Sequence, residues 1–426
     1  MRFSKSTLAG LTLLSMIAAQ PVQADDIQAR LQKAQAAASQ KDWDDALTEL
    51  DAVIAIDKNN VTAHSGRALM LVQKKNIPDA ITEVTRVIEL DPKNAGAFKL
   101  RSDLYKQTGD NAKAKADFIA CLRLAPEEAT KLEEAAVAAS KKEDWENAVN
   151  LWALMSDVHP GDAHILYERG MALKGAFYTV FLNNSGSPDF QEHMDKLKAD
   201  TKASFDAAIK ADPKFAAAYL AQDDIEVINQ GLKVIPDNAD LLVGHARKLL
   251  SSLPDNDMKK QALADCDHAI KTDPKNADAY GTRATANLFL KNYDAALADS
   301  AHSLELKPDN FEVLKLRGTI YNRKGDYTSE AAEDERALSI KSDDEIQFSC
   351  YLALTHLPDK TRAFTAIGKL IDKSPDSAIY RQSRAELYFD QKDYKSAKAD
   401  IDKVLTAEPD NKDAIALRDK IAAAQK

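Results

Sequence analysis

The sequence predicts an all-α fold, built as a solenoid of antiparallel helix pairs. Three observations predict it. Prolines recur at intervals of thirty-four residues, as at Pro92, Pro126 and Pro160. Between them, apolar residues recur at steps of three and four, which is the spacing of one face of an α-helix. Small residues recur in phase with the prolines, and no segment alternates apolar and polar residues as a strand does.

The prolines mark the breaks between helices. They stand in nearly the same phrase, such as ELDPKN at 89–94 and KTDPKN at 271–276. Proline disfavours helix in the residue before it and is tolerated in the first turn after it, so one helix ends and the next begins there. The Asp and Asn residues of these phrases could bind calcium or cap helices. Their place between helices favours capping.

The small residues mark where helices touch. Two antiparallel helices approach closely only where side chains are short, so a small residue at a fixed place in each helix predicts a tightly packed hairpin. One series falls in the second helices and another in the first: Ala46, Ala80, Ala114 and Ala148, and Ala34, Ala68, Ser102, Ala136 and Gly170.

The pattern resembles the tetratricopeptide repeat family, whose unit is a thirty-four-residue helix pair. Residues 277–310 carry its features, with Ala284, Tyr293, Ala296 and Pro308 at the expected places. The resemblance implies a right-handed superhelix and covers nearly all of the chain after residue 24. A last amphipathic stretch, Asp413–Ala424, is predicted to cap the open end. Eleven units are predicted, starting near Ile27, Val61, Ala95, Ala129, Ala163, Ala216, Ala239, Ala277, Phe311, Glu345 and Ala378.

Departures from the spacing predict the domain organisation. We expect an N-terminal array at 25–215, an irregular short unit at 216–238 and a C-terminal array at 239–426, meeting at an irregular joint. Smaller departures predict looser turns or contacts. Lys58 and Ser342 replace the proline in two units, and Glu330 stands where alanine is expected.

The fifth unit carries an insertion at about 175–193 that is rich in aromatic residues. It could form an exposed aromatic loop that contacts a partner, or longer helices that cover the joint. The second alternative is favoured because buried aromatic side chains are commoner than exposed aromatic patches. The possible contact residues are Phe177, Tyr178, Phe181 and Phe190.

The first twenty-four residues have the pattern of a cleaved signal peptide. Two basic residues precede an apolar run at 8–19, and Val22 and Ala24 are small enough for signal peptidase. The mature chain is expected to start at Asp25 in the bacterial periplasm. The run is too short to span a bilayer, so a retained anchor is the less favoured alternative. No membrane insertion is predicted after cleavage.

Composition and charge limit the partners. The chain has 426 residues and a formal net charge of -10, which disfavours nucleic acid as a partner. Three widely spaced cysteines, Cys121, Cys266 and Cys350, predict buried small side chains rather than disulfides or a metal motif. His159 and His164 flank a turn and do not share a helical face. No metal and no cofactor are predicted.

No catalytic motif is found, so the chain is not expected to be an enzyme. An enzymatic site at the irregular joint is the alternative that no residue set supports. Arginine recurs at one position of the first helix and could bind an extended acidic ligand. Pairing with acidic residues of the same array is favoured. The series comprises Arg67, Arg101, Arg169, Arg283, Arg317 and Arg384.

The resemblance implies an exported scaffold that binds proteins or peptides in a concave groove lined by first helices. Self-association into a homo-oligomer is the other alternative. The family's chaperone-binding members hold a C-terminal carboxylate with a Lys-x-x-x-Asn pair, which does not occur in this chain. By position within the repeat, the groove should include Leu288, Phe289, Lys315, Thr319, Asn322, Arg323, Gln382, Glu386 and Phe389.

Overall fold

The computed structural model describes residues 6–183, 189–251 and 254–425, with side chains from Gln23 onward. In these residues every regular element is an α-helix and no strand occurs. The helices fall into two compact units, and the chain passes from one to the other between Asp212 and Pro213. The all-α prediction is confirmed for the described part of the chain.

Unit 1 is a series of helix pairs, each joined by a short turn. The first helix, α1, runs through the predicted cleavage site at Ala24. In the fifth pair both helices are long, with 21 and 22 residues, whereas the second helix of each other pair in this unit has 14. The helices are α1 (Ser6–Ser39), α2 (Trp43–Ile56), α3 (Val61–Gln73), α4 (Ile77–Leu90), α5 (Ala95–Gln107), α6 (Asn111–Leu124), α7 (Pro126–Lys141), α8 (Trp145–Val158), α9 (Ala163–Asn183) and α10 (Phe190–Ala211).

Unit 2 begins with two short helices, of 6 and 10 residues, in the stretch that the sequence predicts to be an irregular unit. Regular pairs follow, and a single helix closes the series. The helices are α11 (Ala216–Ala221), α12 (Ile225–Val234), α13 (Ala239–Leu250), α14 (Asn256–Thr272), α15 (Ala277–Phe289), α16 (Tyr293–Leu306), α17 (Phe311–Lys324), α18 (Tyr327–Ile340), α19 (Asp344–Thr355), α20 (Thr361–Lys373), α21 (Ala378–Asp390), α22 (Tyr394–Ala407) and α23 (Lys412–Ala424).

The repeated Asn residues cap the first helices. The side chain of Asn276 accepts a hydrogen bond from the backbone N–H of Ala279 at 3.0 Å. Asn94, Asn310 and Asn411 make the same bond at the starts of α5, α17 and α23. Such a bond satisfies an N–H group that has no partner within its own helix. The capping prediction is confirmed at these turns.

The turn inside most pairs needs one residue in the left-handed backbone region. Gly109 and Gly325 take this conformation at no steric cost, with φ of 81° and 75°. Other pairs place a lysine there, at Lys41, Lys75, Lys291 and Lys392, with φ between 60° and 64°. A side chain in this conformation costs about 1–2 kcal/mol, so these turns are held by the helices that they connect.

The small residues lie at the helix contacts, as predicted. Ala46, Ala80, Ala148 and Ala296 have no exposed surface. At Gly170 there is no room for any side chain, because an added Cβ would lie 2.5 Å from the ring of Phe205. Close contact between paired helices therefore depends on the missing side-chain atoms.

The looser contacts predicted at two departures do not occur. Glu330 is 1% exposed and is therefore buried like the alanines at the same position of other pairs. The turn at Lys58 keeps its hydrogen bond from Asn60 N–H to the Asp57 carbonyl, at 3.2 Å. The prediction was wrong because proline is one way of ending a helix, and the asparagine cap after it is sufficient.

Core side chains join each pair to the next. One buried cluster contains Val84 and Val87 of α4 together with Ala97 and Leu104 of α5. At the end of unit 2, Leu417 and Ile421 of α23 cover Ile401 and Val404 of α22. The predicted capping helix is therefore present, one residue longer than expected.

Candidate functional site

The first helices α13, α15 and α17 of unit 2 line a cavity of about 960 Å³. On α17 the lining residues Glu312, Lys315, Thr319 and Arg323 follow one another at steps of three and four. This spacing places them on one face of the helix. The opposite face of α17 contains buried Leu314 and packs toward the core.

Five of the nine residues that the sequence proposes for a groove line this cavity. Leu288 and Phe289 come from the end of α15, and Lys315, Thr319 and Arg323 come from α17. Phe289 is 43% exposed, which is high for an aromatic side chain. The sequence-based positions therefore bring these five residues to a common surface.

The other four proposed residues lie outside this cavity. Asn322 donates from its side-chain nitrogen to both carboxylate oxygens of Glu330, each at 3.0 Å. On α21, Gln382 donates to Glu386 at 3.3 Å. The ring of Phe389 lies 5.5 Å from the ring of Tyr394 and packs on the last core cluster of unit 2.

Several residues of the cavity were not predicted from the sequence. Arg247 of α13 occupies the same repeat position as Thr285 and Thr319, but four extra residues in its unit shift the spacing from 34 to 38. The predicted unit start at Ala239 already gives Arg247 this position, but groove residues were predicted only for the units that start at Ala277, Phe311 and Ala378. Lys291 and Lys307 lie in turns, so positions within the first helices do not indicate them.

The charged side chains of the cavity are mainly basic. The cavity is lined by five lysine or arginine residues and by two acidic residues, Asp278 and Glu312. Arg247 pairs with Asp278 at 3.0 Å, and Lys315 pairs with Glu345 at 2.8 Å. This hydrogen bond to Glu345 raises the pKa of Lys315. The remaining basic residues, which form no ion pair with any described residue, are Lys291, Lys307 and Arg323.

The arginine series has a structural role in five of its six members. Each of the five pairs with a carboxylate sixteen residues further along the chain. Arg101, for example, contacts Asp117 through two bonds of 2.7 and 2.8 Å. The favoured interpretation is confirmed for Arg67, Arg101, Arg283, Arg317 and Arg384. In Arg169 the Nε atom is buried without a hydrogen-bond partner among the described residues.

The insertion lengthens both helices of the fifth pair, as the favoured alternative expected, but its aromatic side chains are not all buried. Tyr178 and Phe181 near the end of α9 are 55% and 57% exposed. Phe177 and Phe190 are half-buried, and the rings of Phe177 and Tyr178 lie 5.7 Å apart. Residues 184–188, where the sequence predicts a turn, lie outside the described residues. Longer helices therefore coexist with an exposed apolar end.

Other candidate groups are structural. All three cysteines are buried, as predicted. His64 and His245 bind the carboxylates of Glu83 and Asp265, each at 2.7 Å. Among the described residues no group of three or more His, Cys, Asp or Glu side chains could hold a metal ion. None of the helices searched combines the length and hydropathy of a membrane span.

Comparison with known proteins gives family and structural matches. No curated protein matches the chain. Among solved structures, yeast Tom70 is 15% identical over 95% of this chain and 96% of its own, with a TM-score of 0.40. YrrB, described as a TPR protein with an unusual peptide-binding site, is 18% identical over 46% of this chain and 100% of its own, with a TM-score of 0.41. MamA is 20% identical over 42% and 93%, with a TM-score of 0.33.

The sequence models of one family match segments in both units. These models describe the tetratricopeptide repeat and match residues 31–95, 99–128, 277–310 and 379–411. The third segment has the bounds of the unit that the proline spacing predicts. Each matched segment consists of helices paired as described above. Tetratricopeptide repeats therefore occur in both units, at these four segments.

Proposed function

We propose that the chain is a scaffold that binds an extended segment of a partner protein in the cavity of α13, α15 and α17, and that this segment carries acidic and apolar side chains. The observation that carries the proposal is the basic character of this cavity in a chain of net charge -10. Tetratricopeptide repeats generally mediate protein–protein interactions through surfaces formed by stacked helix pairs.

The apolar part of the cavity supports the binding of side chains. Phe289 lies at the surface with Leu288 beside it. Leu250 of α13 and Leu316 of α17 also line the cavity. A volume of about 960 Å³ is at the upper end of the usual range for binding pockets. Exposed aromatic residues in concave sites commonly supply most of the binding energy. Phe289 is the proposed anchor.

The charges support an acidic partner. Lys291, Lys307 and Arg323 form no ion pair with described residues, whereas Arg247 and Lys315 are already neutralised by carboxylates. A carboxylate of the partner could therefore pair with any of these three cations. Of the two lining carboxylates, only that of Glu312 has no described ion pair. Complementary charge increases the rate of association and selects among partners.

The test uses selection of random displayed peptides on the parent protein. Peptides that combine acidic and apolar residues should be enriched, and the measured Kd should rise with salt concentration. Phe289→Ala should weaken the binding of a selected peptide by about tenfold, and Arg323→Glu should weaken it at least as much. Leu352→Ala, which removes an exposed apolar side chain outside the cavity, is the control and should bind like the parent. Enrichment of basic peptides, or equal binding by all variants, would overturn the proposal.

The proposal places this scaffold in the periplasm. Its support is the N-terminal pattern, in which a basic start and a short apolar run precede the small residues Val22 and Ala24. Expression in a Gram-negative host, followed by mass spectrometry of the periplasmic fraction, should find a chain that begins at Asp25. A chain that keeps Met1 and sediments with membranes would contradict both the cleavage and the location.

A further inference from the structure

The ninth helix pair, α17 and α18, has acidic residues at two core positions that are apolar in most other pairs. Glu330 stands where Ala46, Ala80 and Ala296 stand in their units, and all three alanines are fully buried. Asp334, one helical turn later, stands where other pairs bury an apolar side chain. Its counterparts include Leu50, Val84, Trp152 and Ile401, each at most 4% exposed.

Both carboxyl groups are inside the protein. Glu330 and Asp334 are each 1% exposed. Glu330 accepts hydrogen bonds from Asn322 of α17 at 3.0 Å and from Ser349 of α19 at 3.3 Å. The Oδ2 atom of Asp334 has no hydrogen-bond partner among the described residues. A buried ionised carboxylate without a partner is costly, so this site favours a protonated acid.

The packing around Asp334 leaves room for the carboxyl group and for little else. A Cβ atom added to Gly318 of α17 would come within 2.4 Å of Asp334 Oδ1. The glycine therefore makes space for the acid in the middle of the hairpin. The carboxyl group forms part of the contact between α17 and α18, so a change in its charge acts directly on that contact.

The nearby positive charges are bound to other groups. Arg317 of α17 and Arg336 of α18 both pair with Glu333, at 3.1 and 2.9 Å. From the end of α19, the ring of His356 is stacked on the ring of Tyr327 with centroids 3.9 Å apart, and a positive charge on His356 would lower the pKa of Glu330. The thiol of Cys350 of α19 also lies near Asp334, and burial raises the pKa of this thiol to about 12. None of these groups forms a described ion pair with Glu330 or Asp334.

Protonation follows from this environment. Burial raises the pKa of Asp334 to about 7, and the neighbouring carboxylates of Glu330 and Glu333 act in the same direction, against the Ser349 hydroxyl. Burial also raises the pKa of Glu330, although the hydrogen bonds from Asn322 and Ser349 oppose it. In the unfolded chain an aspartate loses its proton near pH 3.8. The folded pair therefore binds more protons than the unfolded chain between about pH 4 and 7.

We propose that the ninth helix pair is a proton-sensitive element, in which Glu330 and Asp334 retain a proton while α17 and α18 are packed together, and loss of that proton loosens the pair. Two carboxylates one turn apart in a buried site repel each other strongly when both are ionised. The contribution to stability is complete below about pH 4 and is lost as the pH rises through about 7.

This element regulates the cavity, a step that rests on the proposed function. The helix that packs Gly318 against Asp334 also presents Lys315, Thr319 and Arg323 to the cavity. When α17 loosens at higher pH, these three side chains lose their fixed positions. Binding of an acidic segment should therefore weaken between pH 5.5 and pH 8, beyond the effect of the charges of the cavity itself.

The experiment is hydrogen–deuterium exchange of the full chain without any peptide, at pH 5.5 and pH 8, with rates corrected for the intrinsic pH dependence of exchange. The amides of α17 and α18 should open about tenfold more at pH 8, relative to those of α15 and α16 in the same molecule. Exchange that changes in parallel in the two pairs would overturn the proposal. This readout concerns the parent protein and needs no variant.

Variants identify the groups. Asp334→Asn is neutral at every pH, so in this variant the difference between the two pairs should lose most of its dependence on pH. Glu330→Ala removes one of the two carboxyl groups but leaves Asp334 buried, so it should reduce the pH dependence by less. Asp309→Asn, which changes an exposed carboxyl group in the turn before α17, is the control and should behave as the parent. If Asp334→Asn keeps the pH dependence of the parent, Asp334 is not the responsible group and the proposal fails. Because no peptide is present, these results stand apart from the outcome of peptide selection.

Discussion

Ala296 of α16 faces α15 and has no exposed surface. The paired helices touch at such residues, so the hairpin tolerates no larger side chain there. The neighbouring Ala298 on the same helix is exposed. The two alanines therefore differ in environment while sharing one helix, which allows packing to be separated from helix propensity.

We predict that Ala296→Leu lowers the free energy of unfolding by about 1 to 3 kcal/mol, because the added atoms overpack the hairpin. Ala298→Leu should change it by less than about 0.5 kcal/mol, since alanine and leucine have similar helix propensities. Urea denaturation followed by circular dichroism measures both. An equal change in the two variants would mean that packing at Ala296 is not the cause.

At the same scale, the sequence predicted the small residues well and the buried acids poorly. A small residue at a fixed position has one explanation, close contact between helices. An acid at a core position has two, a loosened contact or a buried carboxyl group, and the first was chosen for Glu330. The burial of Asp334 was not predicted. The glycine that makes room for it, Gly318, is a regular member of the small-residue series and so gives no separate signal in the sequence.

At the scale of elements, the positions of the helices were nearly all predictable. Eight of the eleven expected unit starts are the first residue of a helix, from Val61 to Ala378. The reason is that proline and the capping asparagine act locally on the backbone. The α7 start differs by three residues because Pro126 itself begins the helix.

The cavity was less predictable, because it depends on which turns and helices come together. Repeat position correctly brought Leu288 and Arg323 to one surface. It did not exclude Asn322, whose side chain donates hydrogen bonds to Glu330. A position in a repeat fixes the direction of a side chain, whereas its partner depends on the residues of neighbouring helices.

At the scale of the whole molecule, stability in an array of helix pairs comes from each pair and from its contacts with the next. In unit 2, buried clusters link α13 to α14 and α15, and further clusters continue to α23. The start of this unit also contains its own contact, since the hydroxyl of Tyr219 donates to the Pro213 carbonyl at 3.0 Å. A chain beginning at Pro213 keeps all of these interactions.

We predict that a fragment of residues 213–426 folds alone, with helicity per residue close to that of the full chain and a cooperative thermal transition. The matched control is a fragment of residues 293–426, which begins inside a pair and leaves α16 without α15. In that fragment Ala296, which is buried in the full chain, loses the contact with α15, whereas Leu304 keeps its neighbours in α17, α18 and α19. Its helicity per residue should be lower, and it should bind a hydrophobic dye such as ANS. Far-ultraviolet circular dichroism and dye fluorescence make the comparison.

If both fragments are equally helical and neither binds the dye, the helix pair is not the unit of stability. If fragment 213–426 itself is unfolded, the second unit does not contain a sufficient core of its own.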